Sequence, residues 1–217
     1  MTDADLLALA ADTSHDLRDA AALQGVYSDG PGDTSLVKVA DHVHELYRPY
    51  IEASPFVVLA TTGPHGIDTS PRGDGRGVVQ VADKKTLLLP DRRGNQRIDS
   101  LRNIVCDPRV ALLFLVPGIG ETLRVNGQAR ISALPALCRR FAVDGKPPAS
   151  VLVITVASVF FQCARAIKRS ELWNPARQLD CASLPSPGAI LQTLSRQGID
   201  GVAYDAALQS RQEKSLY

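Results

Sequence analysis

Between residues 56 and 160 the chain is a run of short apolar segments broken by turn-forming residues, and few folds accept that pattern. Strands are expected over 56–62, 67–72, 78–82, 86–90, 109–116, 122–131 and 150–160, with punctuation such as Gly63-Pro64-His65-Gly66 and Ala82-Asp83-Lys84-Lys85. Short strands joined by tight turns pair antiparallel, and a set with few exposed edges is expected to curl into a closed or partly closed barrel. Helices over 96–105 and 134–141 interrupt the meander. A chain of 217 residues with 45% hydrophobic content can bury a sizeable core. The expected class is mainly β with flanking helices.

The ends read differently. Residues 1–33 open with an alanine-rich helical stretch and finish on the breaker Gly30-Pro31-Gly32-Asp33. Thr34 or Ser35 can cap a helix whose Leu36, Val39, Ala40, Val43, Leu46 and Tyr47 recur at three- and four-residue spacing, ending near Ser54-Pro55. The expected organisation is an N-terminal helical extension over 1–33, a barrel domain over 34–180 and a C-terminal helical extension over 181–217.

Charge excludes several partners. With 24 basic and 23 acidic side chains the formal charge is +1, so no global field recruits nucleic acid or an anionic membrane. The acidic start, Met1-Thr2-Asp3-Ala4-Asp5, and the short apolar run at 6–11 do not make a secretory leader. The run at 151–161 is about half the length a membrane helix needs. A cytoplasmic protein is expected. Cys106, Cys138, Cys163 and Cys181 stand far apart without a CxxC pair, so neither a disulfide framework nor a zinc site is signalled. His42 and His44, two apart on an expected helix, point to different faces, and no metal is expected.

The chemistry concentrates in two arginine-bearing segments at strand ends, Thr69-Ser70-Pro71-Arg72-Gly73-Asp74 and Asp91-Arg92-Arg93-Gly94-Asn95-Gln96-Arg97. A single arginine in a loop is usually just solvated. Here Gly94 lets backbone approach a ligand, Asn95 supplies an amide or caps the next helix, and Arg97 is expected in that helix's first turn. Guanidinium groups at a helix N-terminus, which already prefers an anion, ask for a phosphate. No Ser-His-Asp or paired-carboxylate constellation stands out.

The run from Leu87 through Ile104, Leu-Leu-Leu-Pro-Asp-Arg-Arg-Gly-Asn-Gln-Arg-Ile-Asp-Ser-Leu-Arg-Asn-Ile, followed by Asp107-Pro108-Arg109-Val110-Ala111-Leu112-Leu113-Phe114, resembles the pyridoxamine 5′-phosphate oxidase-like flavoproteins. Glu121 to Ala129 and Arg165 to Trp173 fit a branch of that family whose reactions are mostly unassigned, and the resemblance covers roughly residues 35–175. It implies an FMN-binding split β-barrel, a homodimer with the flavin in a groove between subunits, and an FMN-dependent oxidoreductase acting on a small-molecule substrate. Carried over by residue, it places Arg93, Gly94, Asn95 and Arg97 on the FMN phosphate, with Arg92 less clearly so. Leu89 and Pro90 would line the ribityl chain and ring, and Ser70, Pro71 and Arg72 the isoalloxazine edge and phosphate. Thr122 would offer a polar group across the subunit boundary. Trp173 would border the flavin, and Arg124 or Lys168 would stand near the part of the ring that gains charge on reduction.

Two departures bear on substrate. Asn95-Gln96 replaces the basic pair of the family's phosphate loop, and the family's arginine–leucine–proline ending is absent, so vitamin B6 chemistry is not expected and NADH or NADPH is the expected reductant. Related barrels hold the deazaflavin F420 or haem, and others serve as non-catalytic flavin-binding stress proteins; these are the alternatives.

Overall fold

Successive residues along a strand face opposite sides of a sheet, so the burial pattern shows which side holds the core. The computed structural model describes all residues from Met1 to Tyr217 except Ser28, His65 and Arg76, and it falls into two compact units, Met1–Lys38 and Val39–Tyr217. The expected turn at 63–66 therefore lies partly outside the described residues.

The first unit is helical, as its composition predicts. Helix α1 (Asp3–Ala11) starts with a reciprocal cap, in which Thr2 Oγ1 accepts from the Asp5 amide and the Thr2 amide donates to the Asp5 carboxylate. Asp19 caps α2 (Ala20–Val26), and α3 (Asp33–Val37) follows.

The second unit is built on seven strands: β1 (Phe56–Gly63), β2 (Gly66–Gly73), β3 (Gln80–Asp83), β4 (Thr86–Asp91), β5 (Arg109–Leu115), β6 (Thr122–Ser132) and β7 (Ser150–Gln162). They form one antiparallel sheet in the order β2-β1-β5-β6-β7-β4-β3. On β5, Val110, Leu112 and Phe114 are buried while Ala111, Leu113 and Leu115 are half-buried on the other face. Strands from opposite ends of the sheet share one core. Val57 and Leu59 of β1 pack in the same cluster as Leu87 and Leu89 of β4, with Leu112, Phe114, Leu123, Leu152 and Ile154 between. The sheet is therefore rolled around its core, and each such side chain contributes about 2 kcal/mol through burial.

The roll does not close through backbone pairing. The hydrogen-bonded ladder ends at β2 and at β3, so the barrel is split, which corrects the closed alternative read from sequence. Two glycines permit the tight packing around it. A Cβ at Gly127, where the β6–β7 register shifts, would strike the Thr155 carbonyl, and one at Gly63 would strike Asn103 of α5 (Asp99–Cys106), which lies against β1.

Three sequence expectations change. The helix expected over 35–53 is interrupted: α4 (Arg48–Ala53) forms only its end. Ala40 instead makes a two-way backbone bridge to Val159, and the Val43 amide donates to the Lys84 carbonyl. Pairing with the sheet overrides the helical period, and Leu46 is left exposed. The strand expected from Val78 starts at Gln80, although Val78 and Val79 are buried. The helix expected from Gln96 starts at Asp99, because Gln96 and Ile98 have left-handed backbone. The remaining helices are α6 (Pro135–Arg140), α7 (Arg165–Ser170), α8 (Pro187–Leu194) and α9 (Gly201–Lys214).

Candidate functional site

The split between β2 and β4 gathers most of the residues that the sequence singled out. On β2, Asp68, Ser70 and Arg72 alternate with the exposed Ile67, Thr69 and Pro71, and their register partners Thr61, Leu59 and Val57 are buried. A short polar row thus lines the inner face at one lip of the split. β4 forms the other lip. Its Leu89 lies inside the core and Pro90 is buried against β7.

Two ion pairs cross this gap where β3 is too short to reach. Arg72 Nη1 donates to Asp91 Oδ1 at 2.6 Å, with the side chains 18% and 17% exposed. Arg92 binds Asp74 through Nη2 at 2.7 Å and Nε at 2.8 Å, with exposures of 17% and 14%. A third donor of Arg92, Nη1, reaches the Phe141 carbonyl at 2.5 Å. Burial pushes the Asp74 carboxyl up, but hydrogen bonds from Tyr217, Arg92 and the Gly75 amide outweigh it and hold the group below its ordinary range. Removing one partner of such a pair leaves a largely desolvated charge behind. Arg92 is therefore a structural fastener with its donors already committed. Arg72 keeps one unspent donor, since its buried Nε has no partner among the described residues.

Beyond Arg92 the chain changes character. Arg93, Gly94, Asn95, Gln96, Arg97 and Ile98 are all exposed. Arg93 makes no hydrogen bond or ion pair among the described residues. Arg97 donates from Nε to Asp99 at 2.8 Å, an exposed contact with a neighbour two residues on that raises the Arg97 pKa. Pairs of this kind hold a side chain weakly. Asn95 Oδ1 accepts from the Arg97 amide at 3.0 Å and so tightens the loop itself; it does not cap α5, whose N-cap position is Ile98 with no side-chain bond. Arg97 correspondingly stands before the helix and outside its first turn.

The loop is also strained. Gln96 has φ 60° and Ile98 φ 53°, a region that costs a β-branched residue on the order of 1–2 kcal/mol. Strain of this sort persists where the surroundings impose it, and it concentrates at binding sites. α5 then starts without a side-chain cap, while its Ser100 donates to Asp68 at 2.5 Å and joins the helix to β2. The loop thus combines exposed positive charge, left-handed backbone and a helix start without a side-chain cap.

The other expected contacts lie apart from this loop. Thr122 begins β6 opposite Gln162, half-buried. Arg124 is exposed on the outer face, with its guanidinium 5.4 Å from the centre of the Phe160 ring. Trp173 donates from Nε1 to the Ile119 carbonyl at 2.8 Å, which ties the chain after α7 to the loop before β6. Lys168 sits in the last turn of α7. A cleft of about 460 Å³ lies against the free edge of β3, between Arg48, Glu52, Gln80, Arg140 and Phe141, and contains none of the expected residues. Among the described residues no cluster of metal-ligating side chains occurs, and no helix is long and apolar enough to cross a membrane.

Sequence reasoning missed Asp74, Asp91 and Tyr217. The first two carried a signal: Arg72-Gly73-Asp74 and Asp91-Arg92 place opposite charges in complementary order, so the two segments can fasten each other. Tyr217, distant in sequence, carried none.

A rolled, seven-stranded antiparallel sheet with a split and a helix packed after its fourth strand defines the split-barrel class. The family model described as pyridoxamine 5′-phosphate oxidase matches residues 43–163, more than half of the chain, and the chain belongs to that family. Among solved structures it is similar to HupZ of Group A Streptococcus, with 19% identity and a TM-score of 0.46 over 55% of this chain and 94% of that one. A protein of Lactobacillus delbrueckii provisionally assigned as a pyridoxamine 5′-phosphate oxidase gives 22% identity and a TM-score of 0.45, covering 56% and 95%. An FMN-binding protein of Syntrophomonas wolfei gives 12% and 0.41, covering 52% and 82%. No curated protein matches the chain.

Proposed function

We propose that this protein is an FMN-dependent oxidoreductase that grips the cofactor phosphate with the loop after β4. The carrying observation is the contrast within that loop: Arg92 is spent, whereas Arg93 and, behind one exposed contact, Arg97 are available beside left-handed backbone and the uncapped start of α5. A phosphate would satisfy these donors together, with Gly94 allowing close approach. Arg72 Nε is a buried donor without an acceptor among the described residues, a state that costs about 1–3 kcal/mol and that a bound anion at the β2 lip would relieve. Ser70 on the same inner row, and the main chain at Leu89 and Pro90, would lie along the rest of the cofactor.

When bound, FMN supplies hydride chemistry, and this chain's residues need only hold and orient it. Arg72, Arg93 and Arg97 would fix the anionic end. Thr122 and Arg124 would act from β6, and Trp173 from the segment it ties down. A homodimer fits the outer face of the sheet, where Val58, Ala111, Leu113, Leu115 and Phe160 are half-buried and Phe56 is 38% exposed. Apolar side chains on both faces of a sheet call for two coverings, and a second copy would provide the outer one. A small-molecule substrate with NADH or NADPH as reductant completes the reading.

Purifying the protein and recording its visible spectrum, with mass identification of whatever is released on denaturation, tests it. Flavin absorption and the mass of FMN are expected in a ratio of one per chain. A deazaflavin or haem spectrum, or a colourless protein that FMN does not titrate, would overturn it.

A further inference from the structure

The last residue of the chain described here reaches the base of the phosphate loop. Tyr217 Oη donates to Asp74 Oδ1 at 2.7 Å, and the guanidinium of Arg92 lies 5.3 Å from the centre of the Tyr217 ring. The Tyr217 main-chain oxygen accepts from Lys146 Nζ at 3.5 Å. Tyr217 thus covers the Arg92–Asp74 ion pair, which anchors the residue immediately before Arg93.

The arm that delivers it is stiff. Ser186 caps α8 and Asp200 caps α9. Asp205 of α9 accepts from Ser186 Oγ at 2.5 Å and from the Gly188 amide at 2.7 Å, locking the two helices at their crossing. A Cβ at Gly188 would meet the Gly201 carbonyl and the Asp205 carboxylate, so this crossing needs glycine. Leu194 and Val202 of this hairpin are exposed, and Tyr217 ties its end to the barrel through Asp74 and Lys146.

The Asp74 carboxylate has one oxygen for Arg92 and the other for Tyr217 and the Gly75 amide. Arg92 in turn has Asp74 and Phe141 in its plane and the Tyr217 ring against its face. Removing the tyrosine leaves Asp74 Oδ1 with the Gly75 amide alone and uncovers the guanidinium, so the fastener loosens where the exposed loop begins. We propose that Tyr217 is a positioning residue for the cofactor loop, acting through Asp74 and Arg92 and coupling the α8–α9 arm to cofactor retention. This rests on the reading that residues 93–97 hold the FMN phosphate.

The test compares Tyr217→Ala and Tyr217→Phe with the parent in the full chain. Amide hydrogen exchange is followed without added cofactor, and FMN release by the recovery of its fluorescence on dilution. Tyr217→Ala should raise exchange across residues 91–97 and speed FMN release roughly three- to tenfold, leaving exchange in β5 and β6 unchanged. Tyr217→Phe, which keeps the ring over Arg92, should fall between the alanine variant and the parent. Unchanged exchange at 91–97 in Tyr217→Ala overturns the proposal. So does FMN release from Tyr217→Ala at the parent's rate, where the parent binds FMN. If the parent binds no FMN, the cofactor reading fails by itself, and the exchange data alone decide whether Tyr217 positions the loop.

Discussion

Arg72 and Arg92 differ from Arg93 and Arg97 in what their surroundings have already used. The first two are more than four-fifths buried, paired across the split to Asp91 and Asp74, and hold together two strands that share no backbone hydrogen bonds. The second two lie in open solvent, Arg97 between the left-handed Gln96 and Ile98 and paired only to the partly exposed Asp99 among the described residues. Of these four arginines, two are paired across the split and two are exposed, and Arg72 alone of the paired two keeps a donor without a partner among the described residues. The lesson is that side-chain type does not assign a role; the state of its donors does.

If the division is right, the largest loss of stability follows from Arg92→Ala, which leaves Asp74 desolvated without its cation. We expect about 3 kcal/mol by urea denaturation, near the low end for buried pairs because both groups keep some exposure. A loss below about 0.5 kcal/mol would place Arg92 with the solvated arginines.

A double-mutant cycle on Arg72 and Asp91 sharpens the comparison. Alanine at each position and at both should reveal a coupling of roughly 1–3 kcal/mol, since the two touch directly across the split. Additive losses would mean that the barrel does not use this pair to close.

The acid limb of stability gives a smaller effect. The Asp74 pKa is depressed in the folded protein, so its contribution is complete above the unfolded value near 4 and disappears as pH falls through the folded value. Tyr217 shifts oppositely: its hydrogen bond to Asp74 raises the phenol pKa, so that contribution is complete below about 10 and is lost as pH rises through the folded value. Asp74→Asn should therefore flatten the stability profile below pH 4, and Tyr217→Phe the profile above pH 10. Profiles parallel to the parent's would remove both groups from the fastener.

Much of the barrel was legible because alternation and turn residues report directly on a half-buried sheet: β1, β2, β4, β5, β6 and β7 all fall within a few residues of expectation. The interrupted helix at 35–53 was not legible, since Ala40 and Val43 are claimed by partners 119 and 41 residues away, and a local period cannot register that competition. At the candidate site the sequence marked residues 91–97 as a cluster of charge and glycine, and the structure shows that segment leaving β4 into an exposed loop. Its internal division was hidden. Whether Arg92 or Arg93 is spent depends on Asp74, Phe141 and Tyr217, which converge only after the sheet rolls. The left-handed Ile98 was equally unreadable, since nothing in an isoleucine announces it.

The smallest stability effect should come from Arg93→Ala combined with Arg97→Ala, within about 0.5 kcal/mol of the parent, because neither side chain is packed. The same double variant carries the central measurement, FMN affinity by fluorescence titration. Each lost charge-assisted contact is worth about 1.5–3 kcal/mol, so the folded double variant should bind FMN at least about a hundredfold more weakly than the parent. FMN binding at parental strength in a folded Arg93→Ala, Arg97→Ala protein would contradict the account.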